Sequence, residues 1–299
     1  MNTGLLASFT PVRLKLRVLS LRFHAAMSID PDPDAARFAA LSRVYGNKVA
    51  EQLPHLRICI VGIGGVGSWA AEALARSGVG KLVLIDADDV TAGNTNRQIH
   101  AMTDDFGKPK VSVMEQRIGQ INPLCEVKAI DDMLVESNLQ KYIDADYDYV
   151  IDAIDSIRFK AALIHYCKRH KIKIITTGGA GGRIDPGAVS TADLSLTWND
   201  ALAAKVRSRL RTDYGFSKNP QRRFGIECVY SSEQPVYPDR SGEVSRAKPG
   251  VAGATLDCDT GYGSTVAVTA TFGMIAAARA LNKSLARRLG KVSLRSDKH

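Results

Sequence analysis

An apolar run that turns through glycines into an alanine-rich stretch leaves a chain few ways to fold. Here Ile58 to Val61 runs into Gly62-Ile63-Gly64-Gly65-Val66-Gly67, and Ala70 to Ala75 follows. The order reads strand, glycine turn, helix. Gly62 permits the tight turn, Gly64 and Gly65 let backbone approach a phosphate, and Gly67 allows close packing of helix on strand. A helix that starts there offers free N–H groups and the positive end of its dipole to an anion. A second apolar run, Lys81 to Ile85, ends at Asp86, where a carboxylate suits ribose hydroxyls. Up to this point a dinucleotide site and a mononucleotide site look alike.

The next segments separate them. Asn94-Thr95-Asn96-Arg97-Gln98 and Gly107-Lys108-Pro109-Lys110 add a cationic cluster. Hydride transfer asks for little charge neutralisation at the phosphates. Splitting a triphosphate between its α and β phosphates does, because charge builds on the departing pyrophosphate. An NAD-dependent oxidoreductase would give Arg97 and Lys110 no task. Tyr149 to Ile151 is a further buried run that ends in carboxylates, Asp152 and Asp155. A carboxylate at the carboxyl edge of a parallel sheet, facing the glycine loop, is placed to hold Mg²⁺ against phosphates.

Strand-like runs at 57–61, 81–85, 125–130, 148–152 and 172–176 alternate with helical patterns at 67–77, 107–120, 136–143 and 157–170. That alternation predicts an α/β fold, a doubly wound, Rossmann-like, mostly parallel sheet with flanking helices. After Gly182 the pattern changes. Val189 to Leu196 reads as an exposed antiparallel strand, a basic helix follows, and residues 213–260 read as long loops near the substrate.

The order of glycine loop, Asp86, Asn-x-Asn-Arg-Gln, Lys110 and Asp155 resembles the ubiquitin-activating-enzyme-like superfamily of adenylating enzymes, to which the sulfur-carrier activators also belong. Within it, Arg43-Val44-Tyr45-Gly46, Thr176 to Gly182 and Asp200 to Lys205 make the chain similar to the branch that dehydrates threonylcarbamoyladenosine in tRNA. The resemblance implies a ligase-type, ATP-dependent enzyme that activates a carboxylate as an acyl-adenylate and closes a ring next to the anticodon. It implies ATP and Mg²⁺ as cofactors and a tRNA carrying threonylcarbamoyladenosine as partner. Asp86, with Asn94 and Asn96, would bind the nucleotide beside Gly62, Gly64, Gly65 and Gly67. Arg97 and Lys110 would hold the phosphates and Asp155 the metal. Arg43 matches a family arginine that reaches the phosphates from a neighbouring subunit, so a homodimer is expected. Cysteine-desulfurase or sulfur-acceptor partners are a further expectation. An adenylyltransferase that activates the Gly-Gly tail of a sulfur carrier is the alternative, and a noncatalytic tRNA-binding scaffold is the bland one.

The expected organisation is an extension at 1–34, an ATP-binding adenylation core at 35–182, a C-terminal tRNA-binding and dimerisation part at 183–282, and a basic tail at 283–299. The formal charge of +9 does not by itself argue for nucleic acid. Residues 1–26 carry a net +4 and residues 283–299 a net +5, which leaves the body neutral. Local distribution says more: Lys205, Arg207, Arg209, Arg211, Lys218, Arg222 and Arg223 are opposed only by Asp213. Charge alone fits a solvated basic helix and loop equally well; joined to the resemblance, it makes Lys205, Arg207, Arg211, Arg222 and Arg223 the expected tRNA contacts, with Tyr214, Phe216 and Phe224 as aromatic platforms for unpaired bases. The tail is a second candidate for phosphate contacts.

The amino-terminal stretch mixes Arg13, Lys15, Arg17 and Arg22 with leucines, and Met27 begins a stretch more like the start of the resembled family. A mis-assigned start codon is the preferred explanation and a weak membrane-surface or organellar address the alternative; residues 1–34 are assigned no catalytic role. The 5 cysteines form no Cys-x-x-Cys pair, which argues against structural zinc and fits a reducing cytoplasm. Many sulfur-carrier activators have such pairs. Cys228 is the one candidate nucleophile, with no adjacent histidine to activate it. The uncharged run Gly263 to Ala278 is rich in Ala, Thr and Gly, so it reads as a buried helix rather than a membrane anchor; weak membrane association through 261–281 is the alternative.

Overall fold

The computed structural model describes residues 33–238, 243–246 and 263–290, together with residue 1. The expectations for most of the amino-terminal extension and the end of the basic tail lie outside these residues. Strands β1 (Arg57–Val61), β2 (Lys81–Asp86), β3 (Glu126–Asp131), β4 (Tyr149–Asp152), β5 (Ile174–Thr177), β6 (Val189–Asp193) and β7 (Glu227–Ser231) form one sheet in the order β3-β2-β1-β4-β5-β7-β6. Every pairing is parallel except that of the edge strand β6 with β7. A short antiparallel pair, β8 (Tyr237–Pro238) and β9 (Val244–Ser245), stands apart.

Helices α1 (Pro33–Tyr45), α2 (Asn47–Ala50), α3 (Gly67–Arg76), α4 (Lys110–Ile121), α5 (Leu139–Tyr142), α6 (Ile157–Arg169), α7 (Ala201–Asp213) and α8 (Val266–Arg288) complete the fold. The period-two geometry of the strands sends alternate side chains to opposite faces. Ile58 and Ile60 of β1 pack with Leu74 of α3, Met114 of α4 and Phe272 of α8. Cys59 and Val61 pack on the other side with Leu163 and Ile164 of α6 and Val206 of α7. Both faces are covered, so the parallel strands are continuous apolar runs. Because β1 lies between β2 and β4, the crossovers diverge there and open a crevice at the carboxyl ends of both strands.

Two features differ from the sequence reading. The segment 213–260, expected as long loops, contains β7, a buried strand inside the sheet. Its short run Cys-Val-Tyr between polar residues is too brief to stand out by periodicity. Helix α8 runs on past residue 282 to Arg288, and Lys283, Arg287 and Arg288 of the expected tail are paired. Lys283 and Arg279 reach the Glu227 carboxylate at 2.6 and 2.7 Å, and Arg288 reaches Asp148 at 2.8 Å. No helix of the described residues is long and apolar enough to cross a membrane. The uncharged run packs α8 on α3 at Gly273, where a Cβ would meet the Val66 carbonyl oxygen at 2.4 Å. That close approach seats α8 behind the glycine loop.

Candidate active site

A cleft of about 670 Å³ opens at the switch point, lined by the glycine loop, the ends of β2, β4 and β5, and the start of α7. The loop geometry follows from its glycines. Gly62 has φ +88°, a left-handed conformation that strains side chains, and a Cβ at Gly67 would lie 1.7 Å from the Gly62 carbonyl oxygen. At Gly64 the nearest atom to a Cβ is 3.9 Å away, so this position faces open cleft rather than packed chain.

Asp86 ends β2 with its carboxylate turned back onto the loop: Ile63 N–H donates at 2.5 Å and Asp88 N–H at 2.9 Å. Burial raises its pKa, against the opposing pull of Lys110 and the two backbone donors. These bonds occupy part of the carboxylate's acceptor capacity and leave lone pairs for ribose hydroxyls. Lys110 opens α4 with a side chain only 7 % exposed, and its Nζ donates to Asp88 Oδ2 at 2.7 Å. Arg97 is fixed by donating to the Gly93 carbonyl at 2.8 Å and to Asn96 Oδ1 at 2.9 Å, while Trp69 Nε1 donates to the Arg97 carbonyl at 3.0 Å. Asn94 caps the turn that carries Arg97, accepting from Thr91 N–H at 3.1 Å.

Of the two carboxylates after β4, the structure separates the roles. Asp152 is buried and internal, paired with Lys160 at 2.9 Å and accepting from Thr176 Oγ1 at 2.6 Å. Asp155 is exposed to the cleft, and its carboxylate has no partner among the described residues. No group of three His, Cys, Asp or Glu among the described residues forms a metal cage by itself. A single open carboxylate beside a phosphate-sized cradle fits Mg²⁺, which keeps several waters and takes one or two carboxylates plus substrate phosphates.

Gly62, Gly64, Gly65, Asp86, Asn94, Arg97, Lys110, Asp155 and Lys205 all line the cleft. Gly67 lies just behind it as the first residue of α3. Asn96 stands outside the lining and acts on it through Arg97, with its Nδ2 donating to the Ser264 carbonyl at 2.9 Å. Arg43 is exposed on α1 and does not line the cleft of its own chain.

The basic segment divides. Arg222 and Arg223 are exposed, as phosphate contacts require. Arg207 is not: its guanidinium donates to Thr197 Oγ1, and burial lowers its pKa. Arg211 lies over the Phe224 ring at 5.3 Å and donates to the Ser217 carbonyl at 3.3 Å. The aromatic platforms are packed inward too. Phe224 is buried and meets Phe216 edge-on at 5.0 Å, and Tyr214 stacks on His165 at 4.6 Å. These rings hold α7 against α6 instead of waiting for bases. Cys228 is buried in β7 and burial raises its thiol pKa, which removes it as a nucleophile.

Sequence reasoning missed Asp88 and Asp200. Asp200 is the N-cap of α7, accepting from Ala203 N–H at 2.9 Å, and it also takes the Gly179 N–H at 3.0 Å. A Cβ at Gly178 would meet its Oδ2 at 1.9 Å, which explains the Gly-Gly at the end of β5. An aspartate just ahead of an alanine-rich helix is the cap signal that marks it. Asp88, two residues beyond Asp86, had no signal of its own, because the lysine it holds is 22 residues away.

Residues 36–289 match the ThiF family. The chain is 51% identical over 252 residues to the tRNA threonylcarbamoyladenosine dehydratase of Escherichia coli, covering 84% of this chain and 94% of that one. It is 48% identical to the Haemophilus influenzae protein described in the same words, over 83% of this chain and 93% of that one. The solved structure of the Escherichia coli tRNA N6-threonylcarbamoyladenosine dehydratase in complex with ATP is similar at a TM-score of 0.75 and 47% identity, covering 85% of this chain and 96% of that one.

Proposed function

This chain belongs to the ThiF family, and on that premise we propose that it is an ATP-dependent enzyme that dehydrates threonylcarbamoyladenosine in tRNA to a cyclic product. The observation that carries the reading is the convergence of the glycine loop, Asp86, Arg97, Lys110 and Asp155 on one cleft, in a chain that covers 94% of the Escherichia coli dehydratase. The alternative activation of a sulfur carrier uses the same nucleotide half but leaves the similarity over residues beyond it without a reason.

Hydroxide is a poor leaving group, so direct closure of the ring is slow. ATP solves this. The carboxylate of the threonyl group attacks the α-phosphate, the bond to the bridging oxygen breaks, and pyrophosphate leaves. The ureido group then attacks the activated carbonyl, the bond to AMP breaks, and the ureido proton passes to solvent. In this reading Gly64 and Gly65 admit the phosphates to backbone, Asp86 holds the ribose, and Arg97 and Lys110 stabilise the charge that develops on the departing pyrophosphate. Asp155 would hold Mg²⁺, which neutralises charge across the phosphates.

A homodimer completes the reading. Arg43 is exposed on α1 and absent from the lining of its own cleft, which suits a role in a neighbouring subunit's site. Arg222 and Arg223 remain the tRNA-phosphate contacts, in the cytoplasm where such tRNA is found. A cysteine-desulfurase partner has no support from Cys228, which is buried.

Mixing the protein with ATP and tRNA that carries threonylcarbamoyladenosine tests the function. The expected result is pyrophosphate release matched by a modified nucleoside lighter by one water, read by mass spectrometry. Pyrophosphate exchange that requires a small Gly-Gly-tailed protein and ignores tRNA would select the sulfur-carrier reading instead.

A further inference from the structure

Four cationic side chains line the cleft: Arg97, Lys110, Arg183 and Lys205. Lys110 is paired with Asp88 at 2.7 Å, Arg97 is tethered to Gly93 and Asn96, and Arg183 donates to the Asn199 carbonyl at 2.8 Å. Lys205 differs. It projects from the second turn of α7, is exposed, and makes no ion pair or hydrogen bond among the described residues. The nearest carboxylate along the chain towards the cleft, Asp200, is buried and already accepts from Ala203 and Gly179. This wall, formed by Gly178 to Gly181 and the start of α7, therefore presents an ammonium that no carboxylate pairs among the described residues. Lys205 lines the same cleft as Gly64 and Gly65, where the reading above places the phosphates.

We propose that Lys205 binds the threonyl carboxylate of the substrate and aligns it for attack on the α-phosphate, rather than contacting the tRNA backbone. The proposal rests on the function read above and adds the residue that receives the reacting acid. The chemistry requires such a group. A carboxylate and a triphosphate are both anions, and bringing one within bonding distance of the other is opposed by their repulsion unless a cation lies near both. Lysine suits the task because its ammonium is a point charge on a flexible stem, able to follow the oxygen as the new O–P bond forms and the bond to pyrophosphate breaks. No proton moves in this step, and the lysine stays charged throughout. The expectation that Lys205 is one of several backbone contacts beside Arg222 and Arg223 is thereby replaced by a role in the reaction cleft.

The test compares full-length wild type, Lys205→Ala and Lys205→Arg in single-turnover pyrophosphate release. Each uses tRNA with and without the threonylcarbamoyl group, and tRNA affinity is measured at several salt concentrations. Lys205→Ala is expected to slow release about 100-fold and to erase any preference for modified over unmodified tRNA. Its salt slope for tRNA binding stays that of wild type, and Lys205→Arg recovers most of the rate. Unchanged release in Lys205→Ala would overturn the proposal. So would a uniform weakening toward both tRNAs with the salt slope reduced by about one, the mark of a phosphate contact. Absence of pyrophosphate release by wild type itself is a separate result: it removes the dehydratase reading and this proposal with it. ATP affinity and the melting temperature of each variant confirm that the fold is intact.

Discussion

On the glycine-loop wall of the cleft the charged groups are held before any substrate arrives. Lys110 is buried against Asp88, Arg97 is fixed by a carbonyl and Asn96, and Asp86 is clamped by two backbone N–H groups. On the α7 wall the fixed groups are structural, Asp200 on the helix start and Arg207 on Thr197, while Lys205 stands free among the described residues. The difference matches what each wall is proposed to receive. A nucleotide always presents the same phosphates and ribose, so donors fixed in advance avoid reorganisation when charge develops. A nucleoside delivered on a tRNA arrives with variable placement, and one mobile cation adapts to it.

The largest effect is expected where the prearranged wall is broken. Arg97→Ala or Asp155→Ala should lower pyrophosphate release by about a thousandfold or more in a rapid-quench assay, with the fold preserved because both side chains lie at the cleft. Near-normal release in either variant would show that the side chain removed does not act on the phosphates.

Next comes a consequence for pH. His100 is buried with neither ring nitrogen hydrogen-bonded among the described residues, and burial first, then Lys110 and Arg117, lower its pKa to about 4. The folded protein thus keeps this ring neutral where the unfolded chain would protonate it. Its contribution is complete above about pH 6.5 and is lost as pH falls towards 4, an effect of roughly 3 kcal/mol. Denaturant titrations at pH 7 and pH 4.5 should find a smaller pH-dependent loss in His100→Leu than in wild type. An identical loss would remove His100 as its source.

A smaller effect sharpens the same wall. Asp88→Asn leaves Lys110 a neutral acceptor in place of its carboxylate, so the ammonium is less firmly placed. A decrease in kcat of about tenfold with little change in the KM for tRNA is expected from steady-state kinetics. A change confined to the KM for tRNA would assign Asp88 to the other wall. The smallest effect falls on the outer surface. Arg222→Ala or Arg223→Ala should weaken tRNA binding a few-fold and reduce the salt slope by about one each. Arg207→Ala should leave that slope alone and lower the melting temperature instead, since its guanidinium is bound inside.

The same division decided how much could be read from the sequence. On the glycine-loop wall Asp86 ends β2, Lys110 opens α4, and Arg97 and Asp155 sit in short motifs of their own, so the four are legible as one site. The α7 wall depends on which face of a helix meets the sheet and what each cation finds there. Residues four apart on a helix, such as Arg207 and Arg211, share a face, but the sequence does not show that this face lies against Thr197 and Phe224. Tyr214, Phe216 and Phe224 looked like base platforms because sequence does not distinguish an exposed ring from one packed on His165 or on another ring. The strand β7 was hidden for a related reason: its buried run is short, and only its place between β5 and β6 makes it a strand.

The central claim is that this cleft esterifies an acid of tRNA to AMP, using charges fixed around the phosphates. Rapid quench of one turnover with α-labelled ATP and tRNA carrying threonylcarbamoyladenosine tests it most directly. Labelled AMP should form in step with pyrophosphate, one equivalent for each nucleoside that loses water, and Arg97→Ala should form neither. Water loss from the nucleoside without AMP, or AMP formed equally well without the modified tRNA, would contradict the account.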